Sequence, residues 1–230
     1  MIDRRTRRKK KARNRQLMAV ALAVLVAAAV GLIVAVLPAG SVLCTPFRLE
    51  TPGTKSFKSL PCTIVKRTTF YRATVKTSLG VIKFGMNPGV APLSVNNFVF
   101  LARAHFYDGM IFHRIENAPD HALVQTGDPT GTGKGGPGYT FRDKATPYTK
   151  YLRGIVAMAS NGHQENGSQF FFVVRDYAKL AEPYQYPTET FFGIVTDTAS
   201  LQVLDKIASV PVSGTRPVTN VVVESVTIEG

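Results

Sequence analysis

The hydrophobic positions of this chain form one long unbroken run near the N-terminus and many short alternating runs after it. The long run covers residues 17–37 and contains no charged side chain across its twenty-one residues. A helix rises ~1.5 Å per residue, so this run would reach about 31 Å, which matches the hydrocarbon core of a bilayer. The pattern predicts a single transmembrane helix over residues 17–37.

The segment before this run, residues 1–16, is strongly basic. It carries nine Lys or Arg against Asp3 alone, a net charge of +8. Positively charged flanks tend to stay in the cytoplasm, so we expect a single-pass cell-membrane protein with its N-terminus inside and the following domain outside. The alternative is a secreted protein cleaved at the imperfect site Ala39-Gly40-Ser41, although signal peptides usually have shorter apolar regions of about 7 to 15 residues.

The rest of the chain is only weakly charged. The whole chain carries +13, so +5 remains for the 214 residues after the basic segment, which is too little to indicate a nucleic-acid partner. No metal site is predicted, because the four histidines lack a recurring spacing of ligands. They are His105, His113, His121 and His163.

Residues 38–69 have the composition of a linker, rich in Pro, Gly, Ser and Thr. The chain's two cysteines, Cys44 and Cys62, both lie in this segment. If this side of the membrane is oxidising, a disulfide between them is expected and would stabilise the chain by about 3 kcal/mol. Two free thiols in a flexible linker remain the alternative.

From about residue 70 to 230 the composition is that of one globular domain. Alternation on either side of a turn at residues 78–80 predicts a β-hairpin, and helical spacing follows Pro92. A second short helix is expected over residues 199–208. Many short strands with only two helices predict a mainly β fold, a closed antiparallel barrel capped by the helices. The other strands are expected at residues 110–115, 123–125, 155–159, 170–174 and 218–228.

The stretch "GDPTGTGKGGPGY" at residues 127–139 holds many glycines and one lysine. It is not a P-loop, because Asp128 stands where the first glycine is required and Gly135 stands where Ser or Thr should follow the lysine. It does not match a dinucleotide fingerprint either, since Pro137-Gly138 is typical of a turn and not of a helix start. The stretch therefore needs a different explanation.

Three segments together supply that explanation: "FHRI" from Phe112, "VQTGDPTGTGKGGPGY" from Val124 and "MASNGHQENGSQFFF" from Met158. In this order and spacing they resemble the cyclophilin family of peptidyl-prolyl isomerases, of the bacterial membrane-anchored kind. The resemblance covers residues 71–229. It implies that the glycine stretch is a surface loop beside the active site, where its glycines serve backbone turns.

The resemblance also assigns roles to individual residues. Arg114 would be the catalytic residue, and His113 would be a packed or orienting imidazole because no proton transfer is required. Phe171 would be the floor on which the proline ring rests. No cofactor is implied, because burial and hydrogen bonding are enough to favour the twisted amide. The substrate-binding positions would be His113, Leu123, Gln125, Ala159, Ser160, Gln169, Phe171 and Leu180.

Three positions depart from the family pattern. Ala122 replaces a pocket phenylalanine, which removes one wall of the proline slot, and Glu189 stands where a histidine is usual. The chain has no tryptophan, and Leu180 aligns with the tryptophan that contacts cyclosporin in the family. We therefore expect weak cyclosporin binding, because leucine offers less apolar area and no N–H donor.

Two functions remain from these observations. The first is a prolyl isomerase that assists the folding of exported proteins, with proline-containing polypeptides as substrates and the lipid bilayer contacted through residues 17–37. The second is a chaperone or scaffold module that binds proline-containing segments with little catalysis, which the altered wall at Ala122 favours. An isomerase assay separates the two.

Overall fold

The structure is a computed structural model that describes residues 53–143, 151–160, 165–176 and 189–230. The predicted transmembrane run, Cys44 and Leu180 lie outside these ranges. The two helices are α1 (Pro92–Arg103) and α2 (Thr198–Ala208). The strands are β1 (Tyr71–Thr77), β2 (Gly80–Met86), β3 (Arg114–Ala118), β4 (His121–Thr126), β5 (Ile155–Ser160), β6 (Asn166–Arg175), β7 (Phe191–Val195), β8 (Val212–Ser213), β9 (Arg216–Pro217) and β10 (Val223–Glu229).

The predicted hairpin and both predicted helices are confirmed. β1 alternates buried and exposed residues and pairs with β2 from Tyr71–Met86 to Thr77–Gly80. α1 begins at Pro92, whose fixed φ suits a first turn. At the start of α2, the Asp197 carboxylate accepts a hydrogen bond of 2.8 Å from the Ser200 amide, which satisfies one of the free donors of the first turn.

The prediction of a closed barrel is wrong. Eight antiparallel strands form one sheet in the order β10-β1-β2-β7-β5-β6-β4-β3, an open half-barrel with β10 and β3 at its edges. The isolated bridge between Ile111 and Val222 lies between the two ends of the sheet. The Ile115 amide of β3 donates instead to Thr215, in the turn between β8 and β9, at 2.7 Å. That hairpin therefore occupies the edge that β10 would need for closure.

Apolar side chains pack on both faces of this sheet. The main core is rich in aromatic rings, and Phe98 packs edge-on against Phe170 with ring centroids 5.2 Å apart. On β6, Phe170 and Phe172 belong to this core, whereas Phe171 belongs to a second cluster on the other face. This division follows from the two-residue period of a strand. The second cluster, here called the slot cluster, consists of Leu123, Tyr151, Ile155, Ala157, Phe171, Val173 and Phe191.

Residues 53–69, here called the N-terminal strap, pack against the domain. Phe57 is buried, its ring centroid lies 5.1 Å from that of Phe100, and its amide donates to the Pro137 carbonyl at 2.7 Å. Asn96 of α1 accepts backbone hydrogen bonds from the strap through its side-chain oxygen. This part of the predicted linker therefore lies between α1 and the end of the glycine stretch.

Two predictions about the N-terminal part concern residues that are only partly described. Within the described ranges, no helix is long and apolar enough to cross a membrane, and residues 17–37 are outside them. Cys62 in the strap is disulfide-bonded, whereas Cys44, the other cysteine of the predicted pair, is not among the described residues.

Candidate active site

Three neighbouring strands each contribute two residues, spaced by two, to one face of the sheet. β3 contributes Arg114 and Glu116, and β4 contributes Leu123 and Gln125. The strand register sets Arg114 opposite Gln125 and Glu116 opposite Leu123. Next to them, β6 contributes Gln169 and Phe171. Because residues i and i+2 of a strand point to the same face, the sequence brings these six side chains together without any loop.

Arg114 is held from two sides. Its Nη1 donates to the Gln125 Oε1 at 3.0 Å, while its Nε and Nη2 donate to the Glu116 Oε1 at 3.0 and 2.6 Å. The Arg114 side chain nevertheless remains 43% exposed. These bonds use three of the five N–H donors of a guanidinium, so two donors are still available for a bound molecule.

The hydrogen bonds continue from Gln125 into the glycine stretch. Gln125 donates from Nε2 to the Gln169 Oε1 at 2.9 Å. Gln169 in turn donates to the carbonyls of Gly133 and Gly135 at 3.0 and 2.8 Å. The arginine, the two glutamines and the loop therefore form one connected network in which each group orients the next.

The glycine stretch is folded around the carboxylate of Asp128. This carboxylate accepts hydrogen bonds from the amides of Thr130, Thr132 and Gly133. Burial alone would raise the pKa of Asp128, but hydrogen bonds from Thr130, Gly135 and Gly133 outweigh it and lower the pKa. The loop amides therefore surround an anion, but this anion belongs to the loop itself and is not a phosphate.

Two of the glycines are required by geometry. Gly133 has φ +84°, a conformation that residues with a side chain rarely adopt. A Cβ on Gly135 would lie 2.1 Å from the Asp128 Oδ1. The prediction that these glycines serve the backbone is confirmed.

His113 is buried beneath this loop. A Cβ on Gly133 would lie 3.8 Å from its ring, and neither ring nitrogen has a hydrogen-bond partner among the described residues. Burial lowers the pKa of His113, and the charges of Arg114 and Arg216 lower it further, whereas the charge of Asp128 and the nearby Gln169 side chain oppose the shift. His113 is therefore a neutral packed imidazole near pH 7.

The slot cluster places the two predicted apolar contacts, Leu123 and Phe171, together. Tyr151 packs beside them, with its ring centroid 6.1 Å from that of Phe171, and its hydroxyl donates to the Glu189 carboxylate. Ala122 is fully buried in the main core and takes no part in this cluster, so the expectation that it leaves the proline slot without a wall is wrong. The slot cluster therefore contains the ring of Tyr151, a residue that the sequence had not indicated for the site.

A groove of about 730 Å³ runs along the glycine stretch beside this network. Its lining includes Ala159, Ser160, Gln125 and Gln169, so it joins two of the predicted positions on β5 to the glutamines. The Ser160 hydroxyl is buried and has no hydrogen-bond partner among the described residues. The groove is thus lined by backbone and small or polar side chains, next to the apolar slot cluster.

The structure brings together every described residue that the sequence proposed for the site, and Leu180 lies outside the described residues. Sequence reasoning missed Glu116 and Tyr151. The two-residue spacing from Arg114 could have revealed Glu116, whereas Tyr151 meets Phe171 only through the fold. In the described part of the chain, no group of three or more His, Cys, Asp or Glu residues is placed to hold a metal ion.

Two relatives of this chain are named as peptidyl-prolyl isomerases. A probable peptidyl-prolyl cis-trans isomerase A from Mycobacterium leprae is 38% identical over 173 residues, which covers 68% of this chain and 91% of the relative. Peptidyl-prolyl cis-trans isomerase B from Streptomyces anulatus is also 38% identical, over 175 residues, covering 68% of this chain and 95% of the relative.

A solved structure shows the same fold. The crystal structure of a cyclophilin type peptidyl-prolyl cis-trans isomerase from Cryptosporidium parvum superposes with a TM-score of 0.60 at 31% identity, covering 70% of this chain and 99% of its own. The family model for cyclophilin type peptidyl-prolyl cis-trans isomerase/CLD matches residues 72–228. The chain therefore belongs to the cyclophilin family and is a peptidyl-prolyl cis-trans isomerase.

Proposed function

We propose that Arg114 lowers the rotation barrier of the X-Pro bond by donating hydrogen bonds to the twisted amide. Rotation costs about 20 kcal/mol because resonance is lost, and no covalent bond is broken. The twisted nitrogen regains a lone pair that can accept a hydrogen bond. The observation that supports this role is the fixed guanidinium, which keeps two N–H donors beyond those bound to Glu116 and Gln125.

The neighbouring residues would hold the peptide while Arg114 acts. Phe171 and Leu123 of the slot cluster offer an apolar surface for the proline ring, and Gln125 and Gln169 orient the arginine and the glycine stretch. Preorganised donors are effective because they need not reorganise as the amide twists. Binding of the ring and donation to the nitrogen together would favour the twisted state over either planar isomer.

The test is an exchange assay on a proline tetrapeptide with the full-length protein. We expect Arg114→Ala to lower kcat/KM by about 100-fold, the typical effect of removing one preorganised donor. Arg72→Ala removes another strand arginine and should leave the rate unchanged. Arg72 pairs with Glu229 of β10, at the opposite end of the strand order from β3. An Arg114→Ala protein as active as the wild type would remove Arg114 from its role. Peptide binding without any acceleration by the wild type would favour the chaperone or scaffold alternative.

We also propose that the enzyme acts outside the cytoplasmic membrane, on X-Pro bonds of exported polypeptides, while residues 17–37 anchor it in the bilayer. The basic segment and the uncharged run are the observations that support this topology.

We further propose that the domain binds cyclosporin weakly, since the chain has no tryptophan. Tight stoichiometric binding in a calorimetric titration would contradict it.

A further inference from the structure

Glu116 forms the closest contacts that Arg114 makes in the described structure. Both residues lie on β3 with one residue between them, so both side chains point to the same face of the sheet. The Arg114 Nε and Nη2 both donate to the Glu116 Oε1, at 3.0 and 2.6 Å. The second of these is a short, charge-assisted hydrogen bond.

The Glu116 carboxylate is partly buried. Its side chain is 22% exposed, and its Oε2 lies 3.6 Å from the Nε2 of His121 at the start of β4. His121 also contacts the Asp120 carboxylate through Nδ1 at 2.9 Å. The register sets Glu116 opposite Leu123, one of the slot residues. Glu116 is therefore a partly buried carboxylate at the edge of the site, next to His121 and across from a slot residue.

An arginine side chain that is 43% exposed would sample several rotamers if nothing held it. Gln125 fixes Nη1, but a single hydrogen bond still permits the guanidinium to rotate about that contact. Glu116 engages the opposite edge through Nε and Nη2, and together the two residues define the plane of the guanidinium. The two remaining N–H donors of Arg114 then point in one fixed direction from the sheet.

We propose that Glu116 is a positioning residue for isomerisation, which acts by fixing the plane of the Arg114 guanidinium. The proposal rests on the proposed role of Arg114 and extends it, because it gives a carboxylate a part in a reaction that moves no proton. Glu116 itself need not touch the peptide. Its effect should therefore appear in the rate of bond rotation and much less in peptide affinity.

The experiment compares Glu116→Ala and Glu116→Gln in the full-length protein, with kcat and the peptide dissociation constant measured separately. Glu116→Ala should lower kcat about 5- to 10-fold and change the dissociation constant by less than about threefold. Glu116→Gln retains a side-chain oxygen that can accept the same two bonds, so it should recover kcat to within about twofold of wild type. Glu229→Ala, which breaks the exposed pair with Arg72 on the outer strands, is the matched control and should leave kcat unchanged.

Combination with Arg114→Ala separates this proposal from the role of Arg114. If Glu116 acts through Arg114, Glu116→Ala should have no further effect on kcat in a protein that already lacks the arginine. A slow Arg114→Ala protein beside a normal Glu116→Ala protein would overturn the positioning role and leave the proposed function intact. A normal Arg114→Ala protein would overturn both. Equal losses of kcat and of thermal stability in the alanine and glutamine variants would mean that Glu116 is merely structural.

Discussion

At the scale of single residues, polar side chains determine the shape of the site. Asp128 satisfies the amides of the glycine stretch, and Gln169 satisfies two of its carbonyls. Neither residue needs to touch a substrate for the site to depend on it, because the loop that forms one side of the groove is fixed through these bonds. His113 differs from both, since it is buried beneath the same loop with neither ring nitrogen bonded within the described residues.

This environment of His113 predicts a pH dependence of stability. Its pKa in the folded protein is lowered, chiefly by burial, whereas an unfolded histidine titrates near 6.5. As the pH falls through about 6.5, the unfolded chain binds a proton that the folded protein does not bind, so folding becomes less stable. This loss continues until the pH reaches the lowered pKa of the folded state.

We therefore expect the Tm of the wild type to fall more steeply between pH 7.5 and 5 than the Tm of His113→Gln, measured by thermal unfolding. Comparing slopes removes the contribution of His105 and His121, which contact carboxylates and are present in both proteins. Equal slopes for the two proteins would mean that His113 is protonated as easily when folded as when unfolded.

The sequence predicted the site residues better than their supports. Arg114, Gln125, Gln169 and Phe171 lie in short motifs that resemble those of the cyclophilin family, and the fold brings them together on neighbouring strands. Tyr151 could not be predicted, because it lies before β5, twenty residues from Phe171 along the chain, and the two rings meet only in the folded domain. Glu116 needed only the strand period, but that signal is meaningful only after Arg114 has been assigned a role.

At the scale of elements, the strap packs onto the domain as part of its fold. Phe57 is 6% exposed and packs against Phe100 of α1 and against Phe106 just beyond it. The backbone carbonyl oxygen of Phe57 would lie only 2.5 Å from a Cβ on Gly138, so any side chain there would clash with the strap. A segment with the composition of a linker is therefore part of the folded unit, because one large apolar residue and a few backbone hydrogen bonds hold it there.

Phe57→Ala should consequently destabilise the domain. Truncating a buried phenylalanine costs about 3 kcal/mol, which corresponds to a Tm lower by roughly 6 to 12 °C for a domain of this size. The matched control is Phe70→Ala, because Phe70 adjoins the strap but is 56% exposed, and it should cost at most about 1 kcal/mol. Thermal unfolding of the two variants decides the question, and a Phe57→Ala protein that unfolds at the wild-type Tm would show that this contact adds no stability.

Strand existence was easier to predict than strand pairing. The apolar residues 110–115 predicted one strand, but β3 begins only at Arg114, because residues 111 and 112 bond to Val222 and Val221 near the other end of the sheet. β7 was not predicted at all, although Phe191 and Phe192 contribute to both apolar clusters. Periodicity shows which side of a strand is buried, but the edge at which a sheet ends depends on contacts between distant segments.

At the scale of the whole molecule, charge and hydropathy are arranged in blocks along the chain. Eight of the thirteen net positive charges lie in residues 1–16, directly before the uncharged run. Moving a lysine or arginine into the centre of a bilayer costs about 2.5 to 3.5 kcal/mol per residue on the insertion scale. A segment with nine such residues is therefore expected to stay on the cytoplasmic side, and the isomerase domain is expected on the other side.

This topology predicts a specific pattern of protease sensitivity. In intact cells that express the full chain with an epitope at its N-terminus, protease added outside should release the isomerase domain and leave the epitope protected and membrane-bound. After the membrane is permeabilised, the epitope should be lost, because the basic segment offers many sites for cleavage after Lys or Arg. The proposed single-pass topology predicts both results, and loss of the epitope in intact cells would contradict it.

N-terminal sequencing of the mature protein separates the anchor from its alternative. A cleaved signal peptide would leave a new N-terminus near residue 42 and the domain free in the medium, without any protease. A retained anchor would instead leave the basic segment at the N-terminus of the mature protein and the domain in the membrane fraction.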